Sequence, residues 1–131
     1  MRKRYAEDAV QQAIVRYLRL KGFICTSQGA GLIQSMRTQL TANRLGYLKG
    51  SPDVIVWIKD GTLNIECKAP KTLAYSAKTN RLVINKAGGK QSESQKDFQE
   101  KITQIPGHHY IIASDPMDVV RYIEEHDIKP K

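Results

Sequence analysis

Cysteine is scarce in this chain: only two occur in 131 residues, too few for a disulfide framework. Cys25 and Cys67 stand far apart without Cys-x-x-Cys spacing, which argues against zinc. Both lie among apolar residues and read as buried, reduced thiols. Long hydrophobic runs are also missing. No stretch approaches the roughly 20 apolar residues of a membrane span, so no membrane partner is expected. Met1-Arg2-Lys3-Arg4 is basic, but no continuous apolar stretch follows it. It does not read as a secretory leader, and an intracellular, cytoplasmic protein is expected. The length suits a single domain over residues 1–131, with enough chain to bury a core.

Acid is missing from two long stretches, and this is the most informative absence. No Asp or Glu occurs between Asp8 and Asp53, or between Glu66 and Glu93. Residues 1–90 hold 16 Lys/Arg against 5 Asp/Glu, whereas residues 91–131 hold 5 against 8. The net charge of +8 is therefore concentrated in the first two thirds of the chain. Such a field favours a polyanion such as nucleic acid, although solubilising charge alone produces similar balances.

Hydrophobic spacing gives the order of elements. Val10, Ile14, Tyr17 and Leu18 form a helical stripe over 7–21, ended by Gly22. Phe23 to Thr26 reads as a short strand. Residues 27–51, rich in Gly, Ser, Thr and Asn, read as a long loop with a short helical piece. Asp53 to Ile58 is apolar on both faces, as in a central strand. Lys59-Asp60-Gly61-Thr62 is a hairpin turn. From Leu63 to Lys68 the strand alternates, with Leu63, Ile65 and Cys67 on one face and Asn64, Glu66 and Lys68 on the other. Residues 69–90 form a basic insert, with Arg81–Asn85 as one strand of a hairpin. A helix over 92–105 follows, with Phe98, Ile102 and Ile105 inward, and Pro106-Gly107 stops it. His109–Ala113 is a strand. Asp115-Pro116 opens a last helix to about Glu125. This αβββαβα order predicts an α/β fold with a mixed sheet flanked by helices.

Counting outward from Asp60-Gly61 sets Asp53 and Glu66–Lys68 at the same open end of the hairpin. Two carboxylates close together repel unless a cation lies between them, and a hard divalent ion meets that need with oxygen ligands. A lysine beside the pair suits phosphoryl chemistry, positioning water or steadying developing charge. The spacing alone leaves a plainer reading open, with Glu66 and Lys68 as solvent-facing charges and Asp53 as a turn residue.

The wider pattern resembles a known family. Pro52-Asp53 followed across a hairpin by Glu66-Cys67-Lys68 is similar to the PD-(D/E)xK nucleases. Gly46 to Val56 resembles the Gly-x-x-x-Gly-x-Pro-Asp-apolar signature of their VRR-NUC family, the virus-type replication and repair nucleases. Ile65-Glu66-Cys67-Lys68-Ala69-Pro70 is similar to its Glu-x-Lys strand. Gly89 to Phe98 resembles its Ser-x-x-Gln helix start. The segments run in the family's order over nearly the whole chain.

The resemblance implies a restriction-endonuclease-like fold and hydrolysis of DNA with Mg²⁺ or Mn²⁺. It implies a homodimer acting on branched DNA such as four-way junctions, and a setting that includes virus-encoded proteins acting in a host cell. Asp53 and Glu66 would be metal ligands, with the backbone carbonyl of Cys67 as a third. Lys68 would assist the water. Gln95 would join the site, although Ser92 and Gln95 also read as a capping box.

Glu7 lies on the inward stripe with Val10 and Ile14. In a first turn it would complement the helix dipole. The family resemblance adds a role near the metal, directly or through water. Asp8 is expected to face solvent. Lys49, Lys71, Lys78, Arg81, Lys86 and Lys90 are candidate phosphate contacts. Tyr47 and Tyr75 read as packing residues, with base stacking as the alternative. His108 and His109 have no companion at ligand spacing. Three rival functions remain: a flap-, nick- or single-strand-directed nuclease, a DNA-binding module without catalysis, and a basic ribosome- or RNA-associated protein.

Overall fold

The computed structural model describes residues 2–28, 44–46, 48–70, 72–75, 82–86 and 90–131, with backbone only for 2–6, 72–75 and 82–86. The elements are α1 (Arg2–Leu20), β1 (Ile24–Ser27), β2 (Val54–Ile58), β3 (Gly61–Cys67), β4 (Thr72–Tyr75), β5 (Leu82–Lys86), α2 (Glu93–Thr103), β6 (His108–Ala113) and α3 (Pro116–Glu125). The main sheet runs β1-β2-β3-β6. β1 and β2, and β2 and β3, pair antiparallel; β3 and β6 pair parallel. β4 and β5 form a separate antiparallel hairpin. The fold is thus α/β, with a mixed four-stranded sheet flanked by helices, as the element order predicts.

The β2–β3 turn follows from its residues. Asp60 takes a left-handed φ of 66°, and Gly61 follows it into β3 opposite Ile58. Such turns match the twist of the strands they join. The register then sets Val54 opposite Ile65, which carries Asp53 and Glu66 to the far end together.

One face of the sheet carries Val54, Val56, Leu63, Ile65 and Cys67, all buried against Val10, Ile14 and Leu18 of α1 and Val119 and Ile123 of α3. The opposite face carries Asn64, Glu66 and Tyr110, and α2 covers part of it through Phe98, whose ring centroid lies 6.2 Å from that of Tyr110. The apolar core therefore holds the strands while the polar face is presented under α2.

Several expectations are corrected. α1 begins at Arg2 rather than residue 7, because Arg, Lys and Ala propagate a helix without an apolar stripe to mark them. Glu7 is consequently not in the first turn, and the dipole reading of it falls. Asp8 is half-buried rather than solvent-facing. α2 ends at Thr103, so Ile105 lies beyond it and is 48% exposed instead of inward. The expected loop 27–51 falls largely outside the described residues. Cys25 and Cys67 are buried free thiols, as read. Among the described residues, no helix is long and apolar enough to cross a membrane.

Candidate active site

Pro52 is buried and brings no N–H to the sheet, so the β2–β3 ladder changes character there. The Asp53 amide donates to the Ile65 carbonyl at 3.0 Å. One step further, a side chain replaces the backbone: the Cys67 amide donates to Asp53 Oδ2 at 2.8 Å. That bond anchors the Asp53 carboxylate at the mouth of the hairpin, between the two strands.

Glu66 is the unusual residue. Its side chain is 3% exposed, at a position where alternation offers it no solvent. Gln95 Nε2 donates to Glu66 Oε1. Glu66 Oε2 is buried without any hydrogen-bond partner. Burial, then the negative charge of the neighbouring Asp53 carboxylate, raise the Glu66 pKa to about 9; Lys68 opposes the shift and Glu7 adds to it. Two carboxylates with one oxygen unpartnered require a proton or a cation beside them. Burial, followed by the charges of Asp53 and Glu66, also holds the Cys67 thiol protonated, so it is not a nucleophile.

Gln95 ties the groups together. Its Oε1 accepts from Lys68 Nζ at 3.0 Å and from the Ser92 amide at 2.8 Å. Ser92 Oγ in turn accepts from the Gln95 amide, completing the capping box of α2. The cap and the site are therefore one arrangement: capping fixes the glutamine's amide, and the amide fixes Glu66 and Lys68. Lys68 Nζ stands 3.8 Å from Glu66 Oε1, and the Lys68 side chain is 12% exposed, against 3% for Glu66.

The Gly-rich approach to Asp53 packs onto the same helix end. Gly50 has φ 91°, and a Cβ there would lie 2.2 Å from the Ser94 carbonyl oxygen. Only glycine permits that approach. Gly50→Ala is expected to destabilise the protein by about 1–3 kcal/mol, since both backbone strain and a clash arise. Urea unfolding of the variant beside the parent measures it.

The structure brings Asp53, Glu66, Lys68 and Gln95 together, with the Cys67 backbone between the first two acids. Glu7, half-buried on α1, is close enough for its charge to act on Glu66. It does not complete a cluster: among the described residues, no group of three or more His, Cys, Asp or Glu is assembled to hold a metal. Asp53 and Glu66 nevertheless fit a hard cation, because Glu66 keeps an orphaned buried oxygen and lies within reach of the charge of a second carboxylate. Backbone carbonyl, water and substrate oxygens would supply the remaining ligands.

Lys49 and Lys90 are exposed, as phosphate contacts need to be. Lys71, Lys78, Arg81 and Tyr47 lie outside the described residues, and for Lys86 and Tyr75 only the strand backbone is described. His108 and His109 belong to the opposite end of β6. His108 Nδ1 meets Thr62 Oγ1 at 2.6 Å, and His109 Nδ1 meets the Tyr122 hydroxyl at 2.7 Å. Tyr110, paired with Asn64, shares the sheet face of Glu66, and no sequence motif marks it. Burial, partly offset by the Gln91 amide and reinforced by the Glu66 and Asp53 charges, raises its pKa to about 12.

No family model matches the chain, and no curated protein matches it. Its fold does match a solved structure described as a VRR_NUC domain protein, with a TM-score of 0.60 and 18% identity. The match covers 95% of this chain and 91% of that chain. At this identity the likeness defines a VRR-NUC-like fold.

Proposed function

We propose that this protein is a metal-dependent DNA endonuclease with its centre at Asp53, Glu66 and Lys68. The carrying observation is the buried Glu66 carboxyl, with one oxygen unpartnered and the Asp53 charge acting on it, at the open end of a hairpin. The VRR-NUC-like fold and the acid-free basic stretches support the same reading. DNA is the substrate class, and the sequence resemblance favours branched DNA cut by a homodimer.

Asp53 and Glu66 would hold Mg²⁺ or Mn²⁺, which when bound supplies a Lewis acid and an acidified water for phosphodiester hydrolysis. The Cys67 carbonyl is the proposed backbone ligand. Asp53 is held in place by the Cys67 amide, so its carboxylate needs little reorganisation. The Lys68 ammonium stabilises the negative charge that develops on phosphate. Hydrolysis adds the water oxygen to phosphorus and breaks one P–O ester bond, leaving a phosphate monoester and a free hydroxyl. Gln95 is a positioning residue, aiming the Lys68 ammonium and the Glu66 carboxylate. Glu7 adds negative charge behind the pair and favours cation occupancy, directly or through water.

Labelled linear, flap and four-way DNA, incubated with Mg²⁺, with Mn²⁺ and with chelator, tests the reading. Cleavage that persists in chelator would overturn it. Tight binding without cutting any substrate would favour the binding module.

Gln95→Ala separates the glutamine's two roles. Cleavage is expected to fall by about 10- to 100-fold, the usual loss when the group orienting a metal ligand is removed. Ser92→Ala removes the Oγ half of the cap but keeps the Ser92 backbone N–H on Gln95 Oε1, and with it the Gln95 contacts to Glu66 and Lys68. It should lower stability and leave the rate per folded molecule near that of the parent. Equal rate losses in both variants would assign Gln95 to capping alone.

A further inference from the structure

A groove of about 610 Å³ lies between α1 and the edge strand β1, and it has no place in the reading above. Gln11, Gln12, Arg16 and Arg19 line it from the helix, beside the apolar Val15 and Leu20, and Ser27 lines it from the strand; none of its lining residues is acidic. All of them fall in the acid-free stretch after Asp8.

One end of the groove lies beside the strand that carries Asp53. Ser27 pairs with Val54, the residue after Asp53, and the Gln28 amide donates to the Asp53 carbonyl at 2.9 Å. Glu7, Gln11, Val15 and Arg19 follow one another at intervals of four, and so share one ridge of α1. The ridge starts at the acid whose charge reaches Glu66 and ends at a guanidinium. Gln12 and Arg16 form the adjacent ridge.

We propose that this groove carries the DNA strand that flanks the scissile phosphate. The inference rests on the nuclease reading and adds to it the path of the substrate. The chemistry suits a phosphodiester chain. Gln11 Nε2 donates to Ser27 Oγ at 3.0 Å, which fixes a polar pair at the end nearest Asp53. Arg16 is exposed and supplies full charge further along. From Gln11 to Arg19 the helix rises about 12 Å, at ~1.5 Å per residue. At ~3.4 Å of helix axis per nucleotide, that accommodates three to four nucleotides of a stacked strand.

An extended peptide adding to the edge of β1 is the less favoured occupant. Arg19 Nη2 donates to the Cys25 carbonyl at 3.3 Å, occupying an edge acceptor that such a peptide would need.

The test is DNA binding in chelator, followed by fluorescence anisotropy of a labelled duplex across a salt series. Arg16→Ala should weaken binding by roughly 3- to 10-fold and reduce the magnitude of the salt slope by about 1, as expected for one lost phosphate contact. Lys59→Ala, an equal charge change at the turn opposite the site, should move neither quantity. Unchanged affinity and slope in Arg16→Ala, or equal losses in both variants, would overturn the groove. Cleavage in Mg²⁺ is scored separately. Arg16-dependent binding without cleavage by the parent would uphold the groove and remove the nuclease reading. Normal cleavage by the parent with Arg16→Ala binding unchanged would remove the groove alone.

Discussion

Asp53→Asn is expected to lower DNA cleavage about 10³-fold or more while leaving the fold and DNA binding intact. The proposed centre has two inward carboxylates, and their charge is what attracts a cation. Asparagine keeps the size of the side chain, and its amide oxygen accepts the Cys67 amide that now donates to Asp53 Oδ2 at 2.8 Å. What it loses is the charge. DNA binding in chelator should match or exceed that of the parent, since a negative group beside the phosphate is gone. The same change releases Glu66: the Asp53 carboxylate contributes to its raised pKa, so Glu66 should ionise nearer the ordinary carboxylate range. Cleavage rate over a metal titration, with anisotropy binding alongside, measures the effect. Cleavage by Asp53→Asn at the rate of the parent would overturn the proposed centre.

Much of this site is legible in local sequence because a hairpin is a ruler. Once Asp60-Gly61 is taken as the turn, strand periodicity alone decides that Glu66 and Lys68 share a face and that Asp53 meets them. The Ser92–Gln95 capping box is legible for the same reason, being a contact over three residues. The bridge that makes Gln95 part of the site is not local. It depends on β6 entering parallel beside β3, with Ile65 opposite Ile111, and on α2 then lying across that face. No short spacing encodes such a pairing; the burial of the whole sheet selects it.

The misreadings share a cause. α1 starts at Arg2 because solvated Arg and Lys turns leave no apolar period to detect. Ile105 looked like the next inward residue after Ile102, yet the helix had already ended at Thr103. Tyr110 read only as a strand residue, and its place on the sheet face of Glu66 follows from the β3–β6 register. The groove along α1 has no sequence signature, because its parts come from a helix and an edge strand that pair through no motif. The acid-free stretch is the available signal: the same absence that marks the chain as basic also leaves the lining of the groove without a carboxylate.

Glu66→Gln is expected to stabilise the metal-free protein, and the gain should grow with pH. The folded carboxyl titrates near pH 9, far above the ordinary value of 4.5. The unfolded chain therefore releases this proton first. Below pH 4.5 the residue is protonated in both states and costs nothing. Between about 4.5 and 9 the folded protein must keep a proton that the unfolded chain has given up, so stability falls by up to about 1.4 kcal/mol per pH unit. Above 9 the penalty levels off. Glutamine removes this dependence. Its amide accepts from Gln95 Nε2 at the Oε1 position and supplies a donor at the Oε2 position, where Glu66 has no partner. By pH 7 the variant should be more stable by up to about 3 kcal/mol, and thermal unfolding in chelator should rise by several degrees. Cleavage should be lost in the same variant, because the buried acid that weakens the empty fold is the one proposed to hold the metal. A stability difference that stays flat from pH 5 to pH 8 would show that Glu66 is not held protonated, and would remove the electrostatic basis for a cation beside Asp53.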